Sequence, residues 1–253
     1  MVSLHCVIPA KGVSVGIPGK NLQHISGQSL LSITLQYSSK LPQISNIVIS
    51  TDSVAVLEET CQVLGVDAPN FESINEGSLY KLQNRYWVHR REPGHASPEA
   101  KTIEFLPQIL QQLKVSLNDY LLLLQPTSPF RELMEFEKLV SLADSAESVI
   151  SAKVFDSPHP DKRIRVDKNE FLILTETERA DLSLPRQKLS KYYVIDGAFY
   201  LTKCRTVMNE HSLISEKTRI MVREGIKTIN IDNEEDLEIA RAVVETNRFS
   251  LNL

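Results

Sequence analysis

Tyr120-Leu121-Leu122-Leu123-Leu124-Gln125-Pro126-Thr127-Ser128-Pro129-Phe130-Arg131 reads as a strand that stops abruptly in a stiff polar loop. Four consecutive leucines are apolar on both faces of an extended chain. Tyr120–Gln125 is therefore expected to be covered on both sides, and the run is far too short to cross a membrane. Pro126 and Pro129 forbid further strand pairing and set the loop that follows. A strand buried on both faces belongs to a largely parallel sheet with helices packed above and below it.

The same rhythm extends in both directions from this strand. Leu4–Pro9 is a second short apolar run, followed by a loop from Ala10 to Gly27 that carries Gly12, Gly16, Gly19 and Gly27. Helical spacing of Leu30, Ile33, Thr34 and Tyr37 predicts a helix over about 29–39. A strand at Asn46–Ser50, a helix at Ser53–Leu64, a short strand at Trp87–His89 and a helix at Pro98–Leu113 complete the first half. Beyond the leucine strand come a helix at Glu132–Leu142 and a strand at Ser148–Val154. From 155 to 190 the alternation breaks into short β-like pieces, Arg163–Val166 and Phe171–Leu174, between polar stretches. Strands at Tyr192–Leu201 and Ile226–Ile231 then precede a last helix opened by the cap Asp232–Glu235. The expectation is an α/β protein, a three-layer mostly parallel sheet forming one domain over 1–253, with a small inserted lobe at 155–190.

Composition narrows the partners. The net charge is -4 and 24% of residues are charged, which argues against nucleic acid as the main partner but leaves room for a local basic cluster around a small anion. Cys6, Cys61 and Cys204 are widely spaced with no CxxC pair, so buried reduced thiols are expected and no zinc site or disulfide framework. There is no signal-peptide pattern and no apolar run of membrane length, so a cytoplasmic, non-membrane protein is expected.

The candidate site residues sit on the loops after the two apolar strands. In an open α/β sheet, ligands lie outside the carboxyl ends of the strands. Pro9-Ala10-Lys11-Gly12-Val13-Ser14-Val15-Gly16-Ile17-Pro18-Gly19-Lys20-Asn21 could bring backbone N–H groups to a phosphate, with Lys11 and Lys20 neutralising it. It is neither a Walker A loop nor a GxGxxG fingerprint, and its glycines serve a plain tight turn equally well. Gln125 offers both a donor and an acceptor. Arg131 suits an anion or a surface carboxylate, and Asp232 suits a helix cap. Asp52 and Asp196 are pocket walls or turn residues; His95 and His159 are expected to be solvated.

The loop at 9–21 resembles the P-A-R-x-x-S-K-G-I-P-x-K-N signature of the acylneuraminate cytidylyltransferases. Ser50-Thr51-Asp52, Leu124 to Arg131, Pro185-Arg186-Gln187, Gly197 to Tyr200 and Ile231 to Leu237 resemble the family's later motifs, in order, so that the likeness covers about 5–245. The resemblance implies a nucleotide-diphospho-sugar transferase-like fold whose inserted lobe makes a homodimer. It implies an enzyme that joins CTP to an acidic keto-sugar, a nonulosonic acid of sialic, legionaminic or pseudaminic type, and releases pyrophosphate with Mg2+ as cofactor. Residue by residue, Ala10, Lys11, Gly12, Lys20, Asn21, Arg90 or Arg91, and Ser97 would contact the nucleotide. Gln125, Arg131, Arg186 and Gln187 would line the sugar, and Asp232 would hold the metal, with Lys11, Lys20 and Asp232 as the catalytic groups. Two positions depart from the pattern: Val15 replaces a lysine and Asn230 replaces an aspartate. The alternatives are a CMP-Kdo-type synthetase and a nucleotide-binding relative without turnover.

Overall fold

The computed structural model describes residues 2–14, 16–97, 99–155, 160, 164–173, 182 and 184–251, Arg186 by its backbone alone. Strand β1 (Leu4–Pro9) sends Cys6 and Ile8 to one face and Val7 to the other, because side chains alternate along an extended chain and both faces are covered. The loop after it contains a tight hairpin, β2 (His24–Ile25) and β3 (Gln28–Ser29). The chain then enters α1 (Leu30–Ser39), capped by Ser29, whose side chain accepts from the Ser32 N–H. Next come β4 (Ile44–Thr51) and α2 (Val54–Leu64), which opens on a Ser53 cap and closes on Gly65 in the left-handed region.

The hairpin β5 (Leu79–Gln83) and β6 (Tyr86–Arg90) is followed by a single turn, α3 (Pro93–Ala96), and by α4 (Leu106–Gln112). The leucine run forms β7 (Tyr120–Leu123), then α5 (Leu133–Ala143) and β8 (Ser148–Val154). Two-residue strands β9 (Arg165–Val166) and β10 (Leu172–Ile173) pair antiparallel by themselves. The long β11 (Tyr193–Lys203), α6 (Cys204–Glu210), β12 (Thr218–Arg223) and α7 (Glu234–Glu245) complete the chain.

The main sheet has the order β12-β8-β11-β7-β1-β4-β6-β5. Its centre, β7-β1-β4-β6, is parallel; β5 at the edge and β11 between β7 and β8 run antiparallel to their neighbours. Helices α1 and α5 cover one face, with Leu31, Leu35, Phe136 and Leu139 against Cys6, Ile8 and Leu122. Helices α4 and α6 cover the other, with Ile109, Leu110 and Val207 against Val7, Val48, Leu121 and Leu123. The α/β layering expected from the sequence is therefore present. From β1 the chain steps to β4 on one side, while β7 joins on the other, so the sheet's switch point lies between β1 and β7.

Several expectations are corrected. Pro98–Leu113 is not one helix: a 3-10 turn at Thr102–Glu104 precedes α4, and Pro107 sits in the first turn of α4, where its missing N–H costs nothing. Ile226–Ile231 is not a strand. The strand is Thr218–Arg223, and Gly225 (φ +69°) turns the chain into a 3-10 segment, Gly225–Thr228. The isoleucines there pack against α7 and Phe130 instead of pairing. The last helix is capped one residue later than expected, by Asn233, which accepts from the Asp236 N–H at 2.9 Å while the Asp236 carboxylate takes the N–H groups of Asp232 and Asn233. Cys6, Cys61 and Cys204 are buried free thiols.

Candidate active site

The loop leaving β1 is fastened at three points. The Ala10 N–H donates to the Ser50 carbonyl at 2.9 Å, the Gly12 N–H to Asp52 Oδ1 at 2.8 Å, and Asn21 Nδ2 to the Lys11 carbonyl at 2.8 Å. Two of its glycines are there for closeness. A Cβ at Gly12 would stand 2.7 Å from the Ser53 Cβ, and one at Gly16 would stand 2.3 Å from the Asp232 carbonyl oxygen. The loop is thus held between the start of α2 and the segment entering α7. Lys20 completes the closure: its Nζ lies 3.0 Å from the Ile231 carbonyl, 3.2 Å from the Asp232 carbonyl and 3.4 Å from Asp232 Oδ1.

The opposing wall is the loop after β7. Ser128 N–H closes it onto the Gln125 carbonyl at 3.1 Å. Arg131 does not face the cleft, as was expected of it; only 1% of it is exposed. Its guanidinium donates to the carbonyls of Ala198 (3.0 Å) and Gln125 (2.7 Å) and to Thr34 Oγ1 (3.4 Å), beside the rings of Tyr37 and Phe199. Burial pulls its pKa down to about 10, with the nearby Arg223 adding to the effect. The guanidinium turns inward because three acceptors stand there, the carbonyls of Ala198 and Gln125 and Thr34 Oγ1.

Behind this wall β11 bulges between Ile195 and Tyr200. Gly197 (φ +78°) leaves room that a Cβ would take from Gln125 Oε1, 2.7 Å away, and from Ser128 Oγ, 2.9 Å away. Asp196 is neither wall nor turn residue but a buried anchor. It pairs with Arg223 at 2.8 Å and accepts from Ser151, while Arg223 also binds Glu135 at 2.9 Å. Burial opposes the charge on Arg223, but Glu135 and Asp196 outweigh it and hold the guanidinium's pKa above its ordinary value. Asn230 joins this wall to the metal-side candidate: its Nδ2 donates to Asp232 Oδ2 at 2.7 Å and its Oδ1 faces Ser128 Oγ at 3.1 Å.

Between the two loops lies an open cleft of about 350 Å³, lined by Lys11, Ser14, Gly16, Lys20 and Asn21 on one side and Gln125, Pro126 and Thr127 on the other. That volume suits a small ligand, and the cleft opens at the carboxyl ends of β1 and β7, the switch point of the sheet. Its floor is Arg91 lying 4.2 Å from the Phe105 ring centroid, with Ala100 and Thr102 beside it. Burial lowers the Arg91 pKa to about 10, against the attraction of Asp52.

The structure thus brings together Lys11, Lys20, Asn21, Arg91 and Gln125, with Ala10 and Gly12 forming the loop behind them. Of the two adjacent arginines, Arg91 enters the cleft and Arg90 turns away to Glu72 (2.7 Å) and the carbonyls of Phe71 and Ile74. Ser97 borders an adjoining hollow that shares Arg91, and its Oγ accepts from the Ala100 N–H at 3.2 Å. Gln187 is exposed and does not line the cleft. The side chain of Arg186, and Val15 and His159, lie outside the described residues. The sequence reading missed Phe105, hidden in a stretch read as continuous helix, and Gly16, whose signal is a glycine with an ordinary φ. Among the described residues no cluster of three or more His, Cys, Asp or Glu side chains could hold a metal. Asp232 is not among the residues lining the cleft; its exposed carboxylate stands 3.4 Å from Nζ of Lys20, which does line it.

A family model described as cytidylyltransferase matches residues 5–77, which carry the whole glycine-rich loop. The chain is 26% identical over 250 residues to the CMP-N,N'-diacetyllegionaminic acid synthase of Legionella pneumophila, covering 97% of each. It is 23% identical to an N-acylneuraminate cytidylyltransferase of Streptococcus agalactiae, covering 91% of this chain and about half, 51%, of that longer protein. The solved structure of a CMP:2-keto-3-deoxy-manno-octonic acid synthetase complexed with CTP superposes with a TM-score of 0.63 over 97% of this chain and 99% of that one, at 14% identity, a likeness of fold. The sheet order and the cleft at its switch point are those of an open α/β fold shared with that structure. The chain is similar along nearly its whole length to cytidylyltransferases of nonulosonic acids, with the motifs in the same order.

Proposed function

We propose that the protein activates a nonulosonic acid with CTP, giving the CMP-sugar and pyrophosphate. The observation that carries this reading is one cleft in which two lysines on a glycine-rich loop, Lys11 and Lys20, face the polar Gln125–Thr127 loop across the switch point. The sugar's anomeric oxygen forms a bond to the α-phosphorus of CTP, the bond from that phosphorus to the β-phosphate bridging oxygen breaks, and the hydroxyl proton is released. Such a displacement asks for alignment and neutralisation of charge more than for covalent chemistry. Lys11 and Lys20 neutralise the departing pyrophosphate. Lys20 enters that role already aligned by two carbonyls and the Asp232 carboxylate. Arg91 presents a desolvated cation from the floor, and Gln125 offers its amide to sugar hydroxyls. Arg186 is assigned to the sugar carboxylate from the 155–190 lobe, while Gln187, exposed and outside the cleft, would reach the sugar only if it moved.

Mg2+ is the proposed cofactor, with Asp232 as its protein ligand. One exposed carboxylate beside a phosphate-directed lysine fits a magnesium ion that completes its shell with substrate phosphates and water, not one caged by protein alone. When bound, such an ion supplies charge to the phosphates and lowers the pKa of a hydroxyl placed on it. Asn230 keeps the Asp232 carboxylate oriented by the hydrogen bond its side-chain amide donates to Oδ2.

The chain is read as one domain with the lobe inserted, acting as a homodimer. The support is a strip of exposed apolar side chains on and beside the lobe: Ile164, Val166, Phe171, Leu172, Ile173 and Tyr193 to Ile195. No helix among the described residues is long and apolar enough to cross a membrane, and an enzyme that uses CTP is placed in the cytoplasm.

The test is magnesium-dependent pyrophosphate release from CTP with sialic, legionaminic, pseudaminic and eight-carbon keto-deoxy acids in parallel. Release with a nine-carbon acid is expected. Release with the eight-carbon acid alone would transfer the reading to a CMP-Kdo-type activity, and CTP binding with no release from any sugar would overturn the assignment of turnover.

A further inference from the structure

Arg91 is a cation with an unusual setting. It is 6% exposed, yet it has no ion pair among the described residues. A buried charge left in that state is costly unless hydrogen bonds or a ligand answer it. Ser50, at the end of β4, supplies two bonds. Its Oγ accepts from Arg91 Nε at 2.9 Å and its carbonyl accepts from Nη2 at 3.0 Å. Arg91 Nη1 makes no hydrogen bond among the described residues, and the side chain forms the floor of the cleft.

The Ser50 hydroxyl has a single proton. Arg91 Nε can only donate, so Ser50 receives at that side and must send its own proton elsewhere. The receiver is His89 Nδ1, 2.9 Å from Ser50 Oγ. This holds only if Nδ1 is unprotonated, which puts the ring proton on Nε2, a buried atom without a hydrogen-bond partner among the described residues. Sheet register builds the arrangement: Ser50 and His89 are direct partners in the parallel β4–β6 ladder, and Arg91 follows β6 immediately, its N–H on the Thr51 carbonyl at 2.8 Å. Ser50 and His89 are both fully buried and neither lines the cleft. Both His89 and Arg91 lie against the Phe105 ring.

We propose that Ser50 and His89 are positioning residues for Arg91: neutral His89 fixes the Ser50 hydroxyl, which fixes the guanidinium with its free edge toward a nucleotide phosphate. The proposal rests on the reading of the cleft as a CTP site, and it assigns residues that carry no charge and touch no substrate. A hydrogen bond to a charged group is worth enough that its loss lowers binding of the phosphate ligand about ten-fold or more.

The first measurement needs no substrate. In ¹⁵N NMR of the free protein, His89 is expected as the Nε2–H tautomer, with an exchange-protected Arg91 Nε–H that disappears in Ser50→Ala; an Nδ1–H tautomer overturns the proposal. In turnover assays, Ser50→Ala and His89→Phe are expected to raise the KM for CTP about ten-fold with a much smaller change in kcat. His89→Asn, whose side-chain oxygen stands near the place of Nδ1, is expected to recover most of the loss. On an Arg91→Ala background, Ser50→Ala should add less than two-fold; a further full loss there would mean a merely structural role and overturn the proposal. If Arg91→Ala leaves the KM for CTP unchanged in an active enzyme, the relay fails while the reaction stands. If the wild type shows no turnover, the reaction fails, and the NMR result still decides the relay.

Discussion

Replacing Gly16 by alanine separates a tight loop contact from a loose one. A Cβ there would lie 2.3 Å from the Asp232 carbonyl oxygen, where ordinary contact begins at 3.4 Å, so the two loops must part by about 1 Å. The obstacle is backbone, and no rotamer change relieves it. The same carbonyl is a partner of Lys20 Nζ at 3.2 Å, and a retreat of that size breaks this bond unless the lysine follows it out of the cleft. Overpacking of this kind costs about 1–3 kcal/mol, which in a chain of this length lowers Tm by roughly 2–12 °C. On the proposed roles of Lys20 and Asp232, misplacing them by ~1 Å costs on the order of 100-fold in kcat/KM. Thermal unfolding and pyrophosphate release on the same preparation read both quantities. Gly94→Ala is the control, since its Cβ meets nothing within 4 Å and its φ is ordinary; wild-type values are expected. A Gly16→Ala protein with unchanged Tm and kcat/KM would refute the close apposition. A lowered Tm with unchanged kcat/KM would refute the role given to the Lys20–Asp232 corner.

Asp232→Ala is expected to abolish turnover with little change in Tm, because its carboxylate is exposed and the cap of α7 belongs to Asn233; near-normal turnover would sink the metal assignment. Arg223→Met strands Asp196 and Glu135 in the interior and is expected to cost about 3–5 kcal/mol, seen as a Tm drop of roughly 6–20 °C, although Arg223 does not line the cleft. His89 titrates near 4 in the folded protein because burial, then Arg91, disfavour its charged form, against 6.5 when unfolded. The unfolded chain therefore binds the proton first, and stability should fall on the order of 3 kcal/mol as pH drops from about 6.5 to about 4. Denaturant titrations across that range should show a shallower acid slope in His89→Asn; an identical slope would contradict it.

What the sequence made legible follows from how each segment uses its apolar residues. Leu4–Pro9 and Tyr120–Leu123 are covered on both faces, so their character is plain from composition alone, and Ser29 and Ser53 announce their helices by capping chemistry. Strand β5 escaped notice because it is a sheet edge with Tyr80 and Lys81 exposed, which leaves no apolar alternation. The isoleucines of 226–231 give the segment a β-branched, strand-like character, but they pack against α7 instead of pairing. Within the site, the loops bearing Lys11, Lys20 and Gln125 were readable because prolines and glycines act locally. The directions of Arg90, Arg91 and Arg131 were not, since each is set by acceptors far along the chain: Glu72, Ser50 and Ala198 respectively.

The sheet order carries a consequence for how the molecule is made. Strands drawn from residues 4–90 fill one half of the sheet and strands from 120–223 fill the other, meeting at the β1–β7 seam. A growing chain can pair β1, β4, β6 and β5 as they emerge, but one edge of β1 stays bare until Tyr120–Leu123 has been synthesised. The cleft straddles that seam, with its two lysines from the first half and Gln125 from the second. A nascent or truncated chain ending before Tyr120 would hold the lysines with nothing opposite them, so the two walls of the cleft come into being together with the closing of the sheet.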